Sequence, residues 1–356
     1  PRSGDTDADT RSDCLASRDE RFCRGAPPDS APLHTSVRRV DNTPCATAGC
    51  WASPAPTSDL ATGLNIGGVN NDSDPRNDVR SIWVAGGTYL APTGGFRLPG
   101  GVGIYGGFSG DEVWAYDRNP DPSAASSTRL VGSVDTDAAP VVVLASKDVI
   151  FDGFRVRGGE AGGIGGSSSE VRLANLLVSG NHLPPAVGAQ SVGAGGITWI
   201  GNPNAPAHDV HLDHVTISSN TGPVGGLHLE NVDDAVITDS VIRNNISDEL
   251  LRPGNCDTTP APRCSGGGGV SLIDGVATFD RSIIANNTAL VGGGVDVSGP
   301  DSELRVISSA VTGNQARGNS VVVGRGGGIH AREADVLLSN CLVGDNRTVV
   351  GPRWPT

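Results

Sequence analysis

The chain has 356 residues, and its 39 acidic side chains outnumber its 26 basic ones, which gives a formal net charge of −13. This balance disfavours nucleic acid and anionic membrane surfaces as partners, because both require a basic face. No apolar run is long enough to cross a bilayer, so no transmembrane segment is predicted. The chain begins at Pro1 without Met or a hydrophobic leader, which predicts that a signal peptide has been removed.

Residues 1–78 show no periodicity of strand or helix, and they predict an irregular N-terminal segment that caps the regular part of the chain. Six of the seven cysteines form three sequence-local pairs in loop-like surroundings, which is typical of disulfides in exported proteins. Metal binding is the alternative. The seventh cysteine, Cys341, is expected to be a buried and unreactive thiol. The predicted disulfides join Cys14 to Cys23, Cys45 to Cys50, and Cys256 to Cys264.

An acidic run closes this segment just before the first predicted strand. Its carboxylates, Asp72, Asp74 and Asp78, lie among Asn and Ser side chains, and oxygen ligands of this kind suit calcium. The run lacks the glycine and the terminal glutamate of an EF-hand loop, so a polar linker is the alternative. Calcium is the one cofactor that the sequence suggests.

Short strands separated by glycine turns begin near Ser81, and from Phe151 onward a nine-residue frame recurs in seven copies. Each copy begins with an apolar residue and carries Val or Ile at its sixth place; six copies end in Asn, and one ends in Gly159. Because Asn and Gly most readily adopt the left-handed backbone conformation, a tight turn is predicted at the ninth place. Stacked copies would align the closing side chains as an internal ladder of Asn181, Asn220, Asn245, Asn287, Asn314 and Asn346.

A second element, two glycines followed by an apolar residue, precedes each of the later copies. The length from this element to the closing Asn is nearly constant, whereas the length from that Asn to the next glycine pair varies. Insertions therefore gather at one corner of a solenoid, which is often the binding face. The variable stretches are 182–194, 221–224, 246–266, 288–291 and 315–325.

Four motifs resemble a known group of proteins: Ile82 to Tyr89, Gly103 to Gly110, Leu130 to Ser133 and Asp152 to Phe154. They are similar to the bacterial right-handed parallel β-helix proteins of the pectin-lyase-like superfamily, most of all to the surface and secreted set related to polymorphic outer-membrane proteins. The resemblance covers about residues 80 to 348. It implies an all-β fold, with a single-stranded right-handed parallel β-helix over residues 79–350 and a tail at 351–356. It also implies export to the bacterial cell surface, to an outer-membrane-associated position or to the extracellular medium.

Histidine and aspartate side chains cluster around one predicted strand. If Leu212 points inward, His211 and Asp213 share the outward face of that strand. Together with His228 one coil later, they offer the nitrogen and oxygen ligands that a transition metal prefers. Solvent-exposed polar residues on a half-buried strand are the alternative.

The residue after each glycine–glycine–apolar triplet falls on the outward face of its strand. The resulting column predicts a shallow glycan-binding groove in which His228, Asp296, His330 and the neighbouring Trp199 contact the ligand. An unoccupied polar sheet face is the alternative. The column consists of Thr198, His228, Ser271, Asp296 and His330.

No residue is assigned a catalytic role. The carboxylates of Asp213 and Asp239 fall at different places of the frame, so they need not face each other as a glycosidase pair must. The predicted function is a non-enzymatic, exported structural or adhesive protein that presents its loop-rich face to a cell-surface protein or glycan. One alternative is a carbohydrate-active enzyme, either a polysaccharide lyase or a glycoside hydrolase. The other is a subunit of an end-to-end extracellular assembly, formed with copies of itself or with another protein.

Overall fold

The computed structural model describes residues 37–41, 59–66, 79–112, 115–124, 126–132, 139–167, 170–184, 193–203, 209–247, 266–318 and 324–349. The six cysteines predicted to form disulfides lie outside these residues, as do the tail at 351–356 and Asp72, Asp74 and Asp78 of the predicted calcium site. Within the described ranges, no helix is both long enough and apolar enough to span a membrane.

Short strands stack into four sheets, which we name A to D, and the two largest contain one strand from nearly every coil. Sheet A consists of β1 (Val37–Val40), β2 (Ser81–Ala85), β5 (Gly103–Phe108), β8 (Val149–Asp152), β11 (Val171–Ala174), β14 (Asp209–Asp213), β18 (Asp234–Thr238), β22 (Val276–Asp280), β26 (Glu303–Ile307) and β30 (Asp335–Ser339). Sheet B consists of β3 (Gly87–Leu90), β6 (Thr128–Val131), β9 (Phe154–Arg157), β12 (Leu177–Ser179), β15 (Thr216–Ser218), β19 (Val241–Arg243), β23 (Ile283–Ala285), β27 (Ala310–Thr312) and β31 (Leu342–Gly344).

The other two sheets complete the coil. Sheet C consists of β4 (Phe96–Arg97), β7 (Val142–Leu144), β10 (Ile164–Gly166), β13 (Ile197–Ile200), β17 (Leu227–Glu230), β21 (Val270–Ile273), β25 (Val295–Ser298) and β29 (Ile329–Arg332). Sheet D consists of β16 (Thr221–Gly222), β20 (Ile246–Ser247), β24 (Thr288–Ala289), β28 (Gln315–Arg317) and β32 (Arg347–Val349).

Each later coil passes through sheets C, A, B and D in that order, as β17 to β20 do. Neighbouring coils pair in parallel and in register, for example with Leu212 beside Ile237 and Ile217 beside Ile242. Because each strand finds its partner one coil away, the chain forms an all-β solenoid of stacked parallel strands. The β-helix-like architecture predicted from the repeats is confirmed at this level.

The interior is filled by the first and sixth residues of the nine-residue frame. Leu212 and Ile217 of one coil stack on Ile237 and Ile242 of the next, and each of the four is at most 1% exposed. The second and fifth residues face outward, whereas the fourth is also buried, as Val215 is at 1% exposed. In the last described coil, Leu338 takes the first place but stays 46% exposed, since the described coils cover only one side of it.

Trp199 lies in this interior, although the sequence predicts it in an outward groove. Its side chain has no exposed surface. It follows the outward Thr198 in β13, so the alternation along the strand turns its indole inward. Its register partner in β10 is Gly166, where any side chain would collide with the indole ring. Trp199 therefore fills the core and is not available to a glycan.

Two corners of each later coil contain a residue in the left-handed conformation. They are the third and eighth places of the frame, as in His214 (φ 55°) and Ser219 (φ 56°) and, one coil later, in Asp239 (φ 48°) and Asn244 (φ 55°). The tight turn predicted at the ninth place is therefore wrong, because the backbone bends one residue earlier. The eighth place carries Gly, Ser, Asn or Asp, and small polar residues and Gly are those that best tolerate this conformation.

The closing asparagines point inward instead and form a continuous column of side-chain amides. In each step, Nδ2 donates to the Oδ1 atom of the next asparagine and to a main-chain carbonyl of the preceding coil. For Asn245 these acceptors are Asn287 Oδ1 and Ile217 O, each at 3.0 Å. Its own Oδ1 accepts from the main-chain N–H of Asn220 at 3.0 Å. The column runs through Asn181, Asn220, Asn245, Asn287, Asn314 and Asn346.

Serines at the fourth place of the frame form a second, shorter column. Ser240 Oγ accepts from the main-chain N–H of Val215 at 3.0 Å, and Ser282 Oγ accepts from that of Ser240 at 3.2 Å. Cys341 occupies this place in the last described coil, and its thiol donates to the carbonyl of Val306 at 2.9 Å. The thiol is half-buried and not fully buried as the sequence predicts, because the described coils lie on one side of it only.

Two regular elements occur inside the segment that the sequence predicts to be irregular. Strand β1 extends sheet A beyond β2, with Val37 beside Ser81. Helix α1 (Leu60–Leu64) begins at Asp59, whose carboxylate accepts hydrogen bonds from the main-chain N–H groups of the first turn. Val40, Leu60 and Leu64 are buried in the same core as the first coil. Both elements are too short to show a periodic pattern, so they could not be predicted from the sequence.

Candidate functional site

The polar column predicted on sheet C is present, and five consecutive strands bring it together. Strand pairing places Thr198, His228, Ser271, Asp296 and His330 side by side in β13, β17, β21, β25 and β29. They point away from the core, because the apolar residues on either side of each point into it. However, His228 and Ser271 have no exposed surface, and Asp296 is only 5% exposed.

The backbone of the chain itself covers part of this column. A Cβ at Gly266 would lie 2.5 Å from Asp296 Oδ2, and a Cβ at Gly292 would lie 2.7 Å from Asp296 Cβ. A Cβ at Gly326 would likewise lie 2.6 Å from His330 Cβ. These glycines belong to the connections from sheet D of one coil to sheet C of the next, which we call the D-to-C corners. These corners run across the face where a glycan would have to lie. The structure therefore does not place His228 or Asp296 in an open groove, and of the predicted binding residues only His330 is partly exposed.

At one end of the covered column two side chains share a hydrogen bond, whereas the side chains in its middle have no hydrogen-bond partner among the described residues. His330 Nδ1 lies 2.7 Å from Asp296 Oδ1, so the imidazole and the carboxylate share a hydrogen bond. His228 Nε2 lies 3.4 Å from Glu230 Oε2, but the alignment is too poor for a hydrogen bond, and neither ring nitrogen of His228 has a hydrogen-bond partner in the described part of the chain. Ser271 Oγ is buried and unpartnered there as well. Buried polar atoms in this condition cost about 1–3 kcal/mol each.

A second cluster lies at the corner between sheets A and B, and it differs from the predicted metal site. Its members are Asp213, His214 and Asp239, each offering one ligand atom within 4.8 Å of the others. His211 does lie on the outward face of β14 beside Asp213, as predicted. His228 does not join them, because it belongs to sheet C whereas His211 and Asp213 belong to sheet A.

One imidazole and two carboxylates are a donor set that suits zinc, but protein donors already engage these oxygen atoms. Asp213 Oδ1 lies 2.9 Å from His214 Nδ1 and accepts from Thr238 Oγ1 at 3.0 Å. Both carboxylate oxygens of Asp239 accept from Arg281, from Nε at 2.9 Å and from Nη2 at 2.8 Å. A guanidinium therefore takes the place beside Asp239 that a metal cation would need.

The hydrogen bonds from Arg281 lower the pKa of Asp239, and the charges of Arg281 and His214 lower it further, against a smaller opposing effect of burial. Arg281 also contacts Asp280, and its own pKa is raised, first by the hydrogen bond to Asp239. A carboxyl with a depressed pKa stabilises the folded state above its ordinary pKa, and this contribution is lost as the pH falls through the lowered value.

We expect an NMR titration of Asp239 to give a midpoint below the ordinary value of about 3.9. Replacing Arg281 by Gln removes the paired guanidinium and should return the midpoint toward that value. Arg305→Gln is the matched control, because Arg305 pairs with Glu303 on the outer face of sheet A and not with Asp239. An unchanged midpoint in Arg281→Gln would show that this ion pair does not form in solution.

A shallow recess of about 190 Å³, open to solvent, lies among the early coils. Glu160 is its one ionisable lining residue, and the Oε2 atom of Glu160 lies 3.2 Å from His182 Nδ1. The lining is otherwise small and apolar, which gives the recess no pair of titratable groups for acid–base chemistry. It is lined by Ala91, Gly95, Gly132, Ala139, Pro140, Val141, Gly159 and Glu160.

Comparison of the chain with protein-family models, with curated proteins and with solved structures finds no match. The function therefore has to follow from the geometry alone.

Asp213 and Asp239 meet at this corner although they stand at different places of the frame. Asp213 stands at the second place and Asp239 at the third place of the next copy. Because the third residue is in the left-handed conformation, the corner turns its side chain outward beside the end of sheet A. Recognising the third place as a corner would have predicted that His214, Asp239 and Arg281 belong to one surface strip.

Proposed function

We propose that this chain is an exported, non-enzymatic structural or adhesive protein that presents one loop-rich edge of a β-helix to a protein or glycan partner. The observation that carries the proposal is the distribution of connection lengths around the coil. From β14 onward, each connection from sheet A to B and from B to D has two residues. The D-to-C connections vary from the short step between Gly222 and Leu227 to the long one between Ser247 and Val270.

The C-to-A connections vary less, from two residues between Ile273 and Val276 to eight between Ile200 and Asp209, so most of the differences between coils gather along the D-to-C edge. Binding residues lie disproportionately on loops that a rigid scaffold positions. Here the scaffold is the unbroken stack of paired strands and the asparagine column beneath it. An edge of this kind suits recognition of an extended partner, because successive loops contact successive parts of it.

Several finer features belong to the same proposal. The β-helix is right-handed, as parallel strands joined by crossovers almost always are, and it is of the pectin-lyase-like type that the motifs between Ile82 and Phe154 resemble. Local disulfides pin the N-terminal segment in this proposal, since the four cysteines of that segment fall in two sequence-local pairs. Both features support an exported protein at the bacterial surface or beyond it.

The proposal predicts binding that depends on the variable edge. The purified chain is tested against arrays of cell-surface glycans and of surface proteins, beside a variant in which residues 248–265 are replaced by a single Pro-Val step. This step imitates the short D-to-C connection at Pro223 and Val224. We expect the shortened variant to lose at least about tenfold in affinity for any ligand of the intact chain, because ordered contacts are removed without change to the stacked sheets.

The matched control is Arg281→Gln, which changes the A-to-B corner and leaves the D-to-C edge intact. Circular dichroism should show the same strand content in all three proteins. The alternative of a carbohydrate-active enzyme is tested by ultraviolet detection of unsaturated products and by reducing-sugar release on the same glycans. Turnover of any of them, or equal binding by the intact and shortened chains, would contradict the proposed role.

A further inference from the structure

The outer face of sheet B carries the opposite charge from the rest of the protein. Its outward places in β3, β6, β9, β12, β15, β19, β23, β27 and β31 hold four arginines and, in these described strands, no carboxylate. The neighbouring outer face of sheet A holds most of the nearby acids, namely Asp209, Asp213, Asp234, Asp280, Glu303 and Asp335. Sheet A also carries Arg172 and Arg305 on its outer face, whereas the charged side chains in the described strands of sheet B are all basic.

Three of the four arginines meet at one point of sheet B. Arg129 in β6 is the register partner of Arg155 in β9, so their Cα atoms are about 4.8 Å apart. Arg157 follows two residues later on the same face of β9, about 6.6 Å along the strand. Like charges directly opposite each other destabilise a sheet. The cluster therefore needs a compensating negative charge.

The chain itself does not supply that charge to Arg155 and Arg157 within the described residues. Arg155 Nε is buried and has no hydrogen-bond partner there. Burial, and then the charges of Arg157 and Arg129, lower the pKa of Arg155. Two acids next to β9 in sequence have other partners: Asp152 binds Arg118 at 2.8 Å, and Glu160 Oε2 lies 3.2 Å from His182 Nδ1.

Hydroxyl groups continue the donor surface beyond the cluster. Ser179 is the register partner of Arg157, Ser218 follows in β15, and Arg243 follows in β19. The row from Arg157 to Arg243 spans three strand spacings, about 14 Å. Guanidinium groups bind phosphate-like oxyanions through paired N–H donors, and hydroxyls add further hydrogen bonds.

We propose that the outer face of sheet B is an anion-binding surface, in which Arg155 and Arg157 hold a phosphate or sulfate group of the ligand. A tetrahedral oxyanion suits this point better than a single carboxylate, because it offers oxygens to the guanidinium groups of both Arg155 and Arg157, whereas Arg129 already donates to Ser127 Oγ at 3.2 Å. The row toward Arg243 extends the surface for a ligand that carries several such groups. This binding requires nothing from the D-to-C loops, so it stands apart from the adhesive edge.

Isothermal titration of the full chain with inorganic phosphate and with inorganic sulfate, at constant ionic strength in chloride, tests the proposal. Arg155→Gln and Arg157→Gln should each weaken binding about tenfold or more, because each removes a charge-assisted donor pair. Arg97→Gln is the matched control, because Arg97 is exposed in β4 of sheet C, and it should bind both inorganic ions as the wild type does. Polyphosphate and dextran sulfate are the polymeric probes, and with them Arg243→Gln should also weaken binding.

Loss of the unpaired guanidinium relieves repulsion between like charges, so Arg155→Gln should unfold at the same temperature as the wild type or higher in chloride. A binding defect in this variant then reflects a lost contact and not a damaged fold. Equal binding by Arg155→Gln and the wild type would overturn the proposal. So would acetate or polyglutamate binding as tightly as phosphate and sulfate, since carboxylates would then be the ligands of this face.

Discussion

Gly269→Ala is expected to destabilise the protein by about 4 kcal/mol or more, or to prevent folding of the central coils. A Cβ at Gly269 would lie 2.6 Å from the carbonyl oxygen of Gly294 and 2.8 Å from Asn287 Nδ2. Neither neighbour is the free end of a flexible side chain, because the first is backbone and the second is fixed in the asparagine column. The coil would have to open to admit a single methyl group.

The measurement is the urea midpoint followed by circular dichroism. Gly180→Asn is the matched control, since Gly180 stands at the eighth place (φ 64°), where a Cβ would meet no atom within 4 Å. Asn fills the same place in other coils, at Asn244 and Asn286. We expect Gly180→Asn to leave the midpoint nearly unchanged. A small effect of Gly269→Ala would mean that the coils are less closely packed than the contacts of Gly269 require.

Asn245→Ala is expected to lower the free energy of unfolding by about 3 kcal/mol. The side chain has no exposed surface and makes four hydrogen bonds of 3.0 Å. Its removal leaves the main-chain N–H of Asn220 and the carbonyl of Ile217 without their partners inside the coil. The lost hydrogen bonds and the desolvated groups left behind act in the same direction.

The adjacent Asn244→Gly is the natural control, because Asn244 is exposed and its φ of 55° suits glycine. Hydrogen exchange should show faster exchange at Asn220 and Ile246 in Asn245→Ala, since these residues bracket the broken step of the column. Equal stability of the two variants would mean that water replaces the buried amide without cost. Unfolding of solenoids need not be two-state, so midpoints are compared in place of extrapolated free energies.

The repeat frame allowed the stacked strands, the interior column and the asparagine ladder to be predicted, because each depends on local spacing alone. Val178, Ile217 and Ile242 recur at one place of the frame, and a recurring apolar place in a parallel solenoid has to be interior. The positions of the left-handed residues at the corners were harder to predict. Asn and Gly at the ninth place suggested a left-handed turn there, but the left-handed residues stand at the third and eighth places.

The candidate sites required information about which sheet each strand joins, and spacing does not supply it. His211 and His228 are close in sequence but belong to different sheets. Asp213 and Asp239 differ in frame position but meet at one corner. The covering of Asp296 was also unpredictable from spacing, because it depends on how the D-to-C corners fold back over sheet C. The arginine cluster was not predicted, although the alternation within Phe154–Arg157 would have placed Arg155 and Arg157 on one face.

The asparagine column has a direction. At every step one amide N–H donates to the asparagine of the next coil and the amide oxygen points back, from Gly159 N and Asn181 Oδ1 at one end to Asn346 at the other. Small dipoles aligned head to tail add together, and each bond polarises the next. The interior of the solenoid thus contains a net dipole moment parallel to its long axis, with the positive pole toward Asn346. A coil docking on Asn346 must offer an acceptor, whereas at the other end the main-chain N–H of Gly159 already supplies the donor, so the column extends in one direction only.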